Sequence, residues 1–361
     1  MITDSELKHL RDELLSSKKP ILMFDDDTDG LCSYLLLYRF LKGYTDEIKG
    51  VILKTGPELD GDLFVQKVKD YDPDKVFVLD KAIVSQDFID GVHKKVIWLD
   101  HHPVLERKNV LYFNPMKHET PGMKEDNRPT SYWAYKVVEK DRPQDMWLAV
   151  AGIVSDWHVP EFLKEFSIKY PTLLDPKFKY KNPGDIIFKT RLGLLIRIMF
   201  FNLKFSTKDS MISAKIISRI NDPLEIVDQT TSAGKYIYKQ YDKFNKIYER
   251  IKSQNTVGKG KLLVFTYSDS YSITSELCNE LIYTYPKKFI IIARLKEEKY
   301  ICSFRSPVYD VRAVLDKALV GIDGYGGGHE HACGGGINAK DWDRFLDNIR
   351  KEIYISKHHT K

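Results

Sequence analysis

Residues 20–42 read PILMFDDDTDGLCSYLLLYRFLK: an apolar run, four carboxylates within five positions, then an apolar stretch of helical length. The first run is short and closed by turn-forming acids, as a buried strand is, whereas LCSYLLLYRFLK is too long for a second strand and reads as a helix. Asp25, Asp26, Asp27 and Asp29 therefore sit on a strand-to-helix turn that ends in Gly30. Further strand patterns lie at 51–54, 76–79, 96–99 and 110–113, and those at 76–79 and 96–99 run directly into Asp80 and Asp100. Up to about residue 160 they alternate with helical patterns, which predicts βαβ units and a mostly parallel sheet. Ligands of open α/β sheets collect beyond the carboxyl ends of the strands, so these acids are expected to face one crevice.

Unit charges about 4 Å apart repel by roughly 1 to 4 kcal/mol per pair at effective dielectrics of 80 to 20, so four neighbouring acids call for cations or raised pKa values. An acidic helix cap accounts for one or two of them, not for four. It also leaves Asp80, the triplet Asp100-His101-His102 and Asp156 without a reason.

Residues 162–257 break the alternation and read as helical, punctuated by Pro171, Pro176, Pro183 and Pro223. In SAGKYIYKQYDKFNKIYERIK the residues Ile237, Tyr241, Phe244, Tyr248 and Ile251 form an apolar stripe, and Lys235, Lys239, Lys243, Lys246 and Arg250 follow the same spacing on a neighbouring face. Strand patterns return at 261–267, 289–295 and 300–306, with helical patterns at 273–284, 310–319 and 341–355. The expected class is α/β: an N-terminal domain with a mostly parallel sheet (1–160), a basic helical insert and connecting helix (161–257), and a smaller C-terminal α/β domain (258–361).

The chain has 361 residues, 43% hydrophobic and 30% charged, with a net charge of +5. Cys32, Cys278, Cys302 and Cys333 form no CxxC pair, which argues against a disulfide framework or a zinc ribbon. MITDSELKHL lacks the features of a secretion signal, and the most apolar later run, LGLLIRIMFF, carries Arg197. A cytoplasmic protein without a membrane span is expected.

The run Asp25-x-Asp27-x-Asp29-Gly30, the strand-end Asp80, Asp100-His101-His102, and Gly152 to Asp156 resemble, in order, the four motifs of the DHH phosphoesterases. Gly326-Gly327-Gly328-His329-Glu-His-Ala332-Cys-Gly334 resembles the GGGHxxAxG motif of the DHHA1 domain that follows in one branch, and the nearest resemblance is to RecJ-like exonucleases of the compact archaeal type. The resemblance covers residues 20–160 and 260–350, not the insert. One departure is Asp25, where many members carry His.

The resemblance implies two divalent cations, one held by Asp25, Asp27 and Asp80, the other by Asp29, His101 and Asp156, with Asp80 bridging. Metals about 3.5 to 4 Å apart suit in-line phosphoryl displacement. An oxygen-rich set with one imidazole suits Mn²⁺ or Mg²⁺ better than Zn²⁺, with Mn²⁺ the first expectation. His102 would lie by the scissile phosphate, and Asp100 would orient an imidazole, so His101, His102, Asp80 and Asp100 form the expected catalytic group. Arg305 and Ser306, together with Gly326, Gly327, Gly328 and His329, would bind substrate. Asp26 has no matching role.

Between Lys177 and Lys261 there are 18 Lys and Arg against seven Asp and Glu, so basic charge is concentrated in the insert. That is the footprint of a protein tracking a phosphate backbone, with Lys235, Lys239, Lys243, Lys246 and Arg250 as candidate contacts. Tyr180, Phe188, Phe200, Phe201, Phe205, Tyr236 and Tyr238 interleave with it as candidates for stacking on bases. The expected function is two-metal exonucleolytic cleavage of single-stranded DNA or RNA to 5′-mononucleotides, in repair or replication, with a helicase as the expected kind of protein partner. The alternative is a phosphodiesterase or phosphatase for short oligonucleotides, cyclic dinucleotides or phosphoadenosine phosphate. A third reading, a scaffold within a replicative helicase, fits relatives that have lost metal ligands, whereas this chain keeps every one.

Overall fold

The computed structural model describes residues 1–118, 126–254 and 260–355. In chain order the strands are β1 (Ile21–Asp25), β2 (Lys49–Leu53), β3 (Glu58–Leu59), β4 (Lys75–Leu79), β5 (Ile83–Val84), β6 (Lys95–Leu99), β7 (Val110–Phe113), β8 (Leu262–Tyr267), β9 (Phe289–Lys296), β10 (Lys299–Arg305), β11 (Gly324–His329) and β12 (Ala332–Asn338). The chain divides into two compact units, Met1–Phe244 and Asn245–Lys361.

In the first unit five parallel strands run in the order β2-β1-β4-β6-β7. The chain leaves β1 toward β2 and then crosses to β4 on the other side, so the order reverses between β1 and β4. Such a reversal opens a crevice at the carboxyl ends of the two strands. The register levels those ends: Phe24 pairs with Leu79, Leu79 with Leu99, and Leu99 with Phe113. Asp25 ends β1, Asp80 follows β4 and Asp100 follows β6, and the sequence pattern thereby becomes a single row of acids.

Ile21, Met23, Val76, Val78, Val96 and Trp98 contribute to one core cluster, and β1 also packs against the helix Thr28–Leu41. That helix meets the helices Thr130–Val138 and Met146–Ser155. The last, MWLAVAGIVS, is apolar all round because it is buried all round. A Cβ at Gly152 would stand 2.5 Å from the Ser131 hydroxyl and 2.8 Å from Cys32, so glycine lets the three helices close.

Among the described residues between 161 and 254 the chain forms the helices Leu163–Lys169, Pro183–Lys189, Arg191–Asn202, Thr207–Ile217, Leu224–Val227 and Ser232–Lys252. Ile237, Tyr241, Phe244, Tyr248 and Ile251 are buried, while Lys235, Lys239, Lys243, Lys246 and Arg250 are exposed. The run around Arg197 is an ordinary packed helix, and no helix among the described residues is long and apolar enough to cross a membrane.

In the second unit the sheet order is β11-β12-β10-β9-β8, with β8 parallel to β9 and the other pairs antiparallel. Phe289, Ile291, Phe304, Val311, Leu315, Phe345 and Ile349 belong to its core. In the glycine-rich segment, residues 324–329 form the edge strand β11, with Gly326 opposite Gly335 and Gly327 opposite Gly334. Pairing glycine with glycine removes the side-chain packing that strands ordinarily gain, so the pattern carries no strand signal. All four cysteines are buried and free of disulfides.

Candidate metal centre

The turn after β1 is shaped around its acids. Asp27 caps the helix Thr28–Leu41, accepting from the Gly30 amide at 2.9 Å. A Cβ at residue 30 would lie 2.7 Å from the Asp25 carbonyl oxygen, so the tight turn requires glycine there. Asp29, buried on that helix, reaches the start of the helix Thr130–Val138: it accepts from the amides of Thr130 at 2.8 Å and Ser131 at 3.0 Å and from the Ser131 hydroxyl. It is thus an anion at a helix N-terminus that anchors the turn. A carboxylate has about four acceptor positions, so these three bonds leave Asp29 room for one further partner at most.

Asp80 adopts a left-handed backbone with φ 58°, which turns the chain sharply at the end of β4. Aspartate tolerates this region better than most residues, and such conformations cost about 1–3 kcal/mol and cluster at functional sites. The buried carboxylate accepts from Thr130 Oγ1 at 2.9 Å and lies 3.5 Å from His101 Nε2. The same nitrogen lies 3.5 Å from Asp156 Oδ2. On its other side, His101 Nδ1 is 3.2 Å from the Asn127 carbonyl, a partner that holds a proton on Nδ1 and leaves the Nε2 lone pair for a ligand.

His102 is held differently. Its Nδ1 is 2.7 Å from Asp100 Oδ1, and its amide donates to Asp100 Oδ2 at 3.0 Å. Tyr112 and Asn114 complete the lock, the first bonding to Asp100 and the second to the Tyr112 hydroxyl and the His102 carbonyl.

Crowding shows in the proton affinities. Burial, then Asp29, Asp27, Asp25 and Asp100, raise Asp80 well above the ordinary carboxylate range. Desolvation raises Asp25 to about 7 against the pull of Lys81, and Asp156 to about 7 against the pull of His101. Burial would lower His102, but Asp100, Asp156 and Asp27 outweigh it and bring the imidazole to about 9.

Asp80, His101 and His102 offer ligand atoms within 4.8 Å of one another. Asp156 Oδ2 adds a carboxylate 3.5 Å from His101 Nε2, and the raised carboxylate pKa values reflect first burial and then the crowding of like charge. The donor set fits a hard divalent cation. Asp25 and Asp27 lie at the neighbouring end of the row.

Nothing in the sequence marks Lys81. Its side chain is wholly buried, and its ammonium donates to Asp25 Oδ1 at 2.7 Å and to the Gly56 carbonyl. The Trp98 indole fixes the Lys81 carbonyl at 2.9 Å. Asp26 is partly exposed, and its charge acts on Lys54, whose pKa desolvation lowers to about 8.

The helix carrying Gly152 ends beside the site. Trp157 donates its amide to Val154 O and His158 donates to Ile153 O, both at 3.1 Å, while Trp157 takes φ 59°. This is a helix terminus whose left-handed position is usually glycine, and a side chain there costs roughly 1–2 kcal/mol.

In the second unit, the Arg305 guanidinium is engaged by Asn279, Ser275 and the carbonyls of Phe304 and Cys333. Ser306 is 1% exposed, and its oxygen accepts from the amides of Val308 and Tyr309, so its side chain builds a turn. Gly328 has φ 143°, and a Cβ there would lie 2.5 Å from the Ala332 carbonyl, whereas Gly327 borders open space. The side chain of His329 lies outside the described residues. Phe201, expected as a stacking candidate, is core, and Arg250 is paired with Asp269 at 2.5 Å.

No curated protein matches the chain by sequence. Among solved structures, RecJ in complex with Mn²⁺ from Thermus thermophilus aligns with a TM-score of 0.68 at 16% identity, covering 98% of this chain and 54% of that one. The chain thus spans about half of the Thermus protein. An exonuclease RecJ bound to manganese aligns at 0.62 and 15% identity, covering 97% and 94%. RecJ in complex with Mg²⁺ from Thermus thermophilus aligns at 0.61 and 14% identity, covering 98% and 52%. The profile of the DHH family N-terminal domain matches residues 19–155 and that of the DHHA1 domain matches residues 259–354. With a DHH domain ending its strands on the acidic row and a DHHA1 domain following it, the chain belongs to the DHH family.

Proposed function

We propose that this DHH-family phosphoesterase is an exonuclease that hydrolyses single-stranded DNA or RNA with two divalent cations, Mn²⁺ or Mg²⁺, and releases 5′-mononucleotides. The observation that carries the reading is His101 Nε2, 3.5 Å from both Asp80 and Asp156 at the switch point of the sheet. Asp25, Asp27 and Asp80 would hold one cation, and His101, Asp156 and the remaining acceptor position of Asp29 the other. Bound there, divalent cations would supply Lewis acidity and neutralise the charge of a phosphodiester under attack.

The chain's own groups do the rest. Asn127 and Thr130 orient His101 and Asp80, and Asp29 pins the turn that presents Asp25 and Asp27. Asp100 orients His102 through Nδ1 and stabilises its imidazolium, so the Nε2 side can hold a proton toward a phosphate oxygen or a leaving group. Arg305 contributes a cationic contact to substrate from the DHHA1 domain. The exposed row Lys235, Lys239, Lys243 and Lys246 follows the strand, which supports a polymer over a small ligand.

The deciding assay uses purified protein with Mn²⁺ or Mg²⁺ on end-labelled single strands of DNA and RNA, a dinucleotide and pyrophosphate. Mononucleotides released from the strands are expected. Turnover of the dinucleotide alone would replace the polymer with a short substrate, and turnover of pyrophosphate alone would sink the reading.

A further inference from the structure

We propose that Trp157 is a stacking platform for a nucleobase within one nucleotide of the scissile phosphate. The inference rests on the phosphodiesterase reading of the site and adds how the nucleoside is held. Three observations meet at this residue. Trp157 occupies the left-handed position of a helix terminus that glycine fills more comfortably. It is 36% exposed, whereas Trp98, Trp133, Trp147 and Trp342 are 0%, 2%, 0% and 7% exposed. It directly follows Asp156, whose Oδ2 stands 3.5 Å from His101 Nε2.

Strain and exposure together argue against a packing role. A large aromatic residue that stabilised the core would be buried, and one that merely closed the helix would be glycine. On its inner side the indole meets Phe188 of the helix Pro183–Lys189, with ring centroids 6.4 Å apart and tilted by 56°, an arrangement that steadies the ring. What remains is a flat apolar ring, partly open to solvent, on the residue that directly follows a carboxylate of the metal centre. A nucleobase is the flat apolar group that a nucleic-acid phosphodiester brings with it, and stacking on an aromatic side chain tolerates any base.

The structure also supplies the probe. Trp157 is the one tryptophan of the five that is not buried, so quenching of intrinsic fluorescence by a small ligand reports on it. The full chain is titrated with adenosine 5′-monophosphate, with ribose 5-phosphate as the base-free control. The nucleotide is expected to quench and the sugar phosphate is not. Trp157→Gly should abolish the quenching and weaken nucleotide binding by about 5- to 150-fold, the range of one lost stack, while Trp157→Phe keeps most of the affinity. The melting temperature of Trp157→Gly should be no lower than that of the wild type, because glycine relieves the backbone. Equal quenching by ribose 5-phosphate, or unchanged nucleotide affinity in Trp157→Gly, would overturn the proposal. Base-dependent quenching in a protein that cleaves no polymer would leave the platform standing and reject the exonuclease. Polymer cleavage with an unchanged KM in Trp157→Gly would do the reverse.

Discussion

The acidic row of the first unit and the glycine-arginine segment of the second are both candidate sites in the sequence, and they fold into different conditions. In the first, a left-handed Asp80, a His101 Nε2 set 3.5 Å from two carboxylates and carboxyl groups raised to about 7 crowd like charge at the strand ends. In the second, Arg305 spends most of its donors on Asn279, Ser275 and two carbonyls, and Ser306 is turned inward. Crowded charge marks the place where a ligand must complete the structure. Internal bonds leave Arg305 little donor capacity, so a substrate contact there would lean on its charge.

The contrast predicts unequal losses. Asp80→Ala should abolish hydrolysis under any divalent cation without unfolding the protein, since it removes one acid from a repelling group. Steady-state turnover at saturating Mn²⁺ checks this, and a rate above about a tenth of wild type would break the assignment; removal of one key group ordinarily costs far more.

Lys81→Met should come next. It leaves the Asp25 carboxylate without its buried partner, a change worth about 3–5 kcal/mol when one side of a buried pair is removed. Thermal melts of the metal-free protein should show the loss, and Lys81→Met/Asp25→Asn should recover most of it. No recovery would mean that Lys81 acts through packing rather than charge.

Metal binding should depend on pH with a defined sign. Asp25 and Asp156 hold protons up to about 7, and a cation must displace them. Mn²⁺ affinity should therefore rise through neutral pH and level off about one unit above it, once both groups ionise unaided. Calorimetry in two buffers of different ionisation enthalpy should show proton release near pH 7 that fades at higher pH. Absence of proton release would contradict the raised values.

The smaller effects belong to the second unit and the basic helix. Arg305→Ala should raise KM with metal stoichiometry unchanged, by about tenfold for one charged contact. Charge reversal at Lys239, Lys243 and Lys246 should weaken long strands and spare a dinucleotide. If the helix neutralises about four phosphates, log affinity for long strands should fall by roughly three per tenfold rise in salt. An equal effect on both lengths would make the helix a solvated face.

The two regions also differ in how far they can be read from sequence. Asp25, Asp80 and Asp100 are legible because each ends a strand whose β-branched and aromatic run is a local signal, and parallel packing aligns such ends without further information. Lys81, Thr130 and Asn127 are not. Their roles arise from contacts across 56, 50 and 26 residues, and nothing local distinguishes a lysine that folds inward from one that faces water. Asp29 is legible in part: its motif position suggests a ligand, but its bonds to a helix terminus formed a hundred residues later leave no trace nearby. The glycines mislead in another way, since residues 326–328 carry no strand signal and only their register with β12 makes them one. Trp157 is invisible for a simpler reason, because its left-handed φ is a property of the helix end and not of tryptophan.

The central claim is that the acidic row at the β1/β4 switch point is a divalent metal centre built around Asp80 and His101. A calorimetric titration of Mn²⁺ into the metal-free chain, with Asp80→Asn alongside, tests it most directly. Two bound ions in the wild type and none with comparable affinity in Asp80→Asn is the predicted result. Equal stoichiometry and affinity in the two proteins would contradict the account.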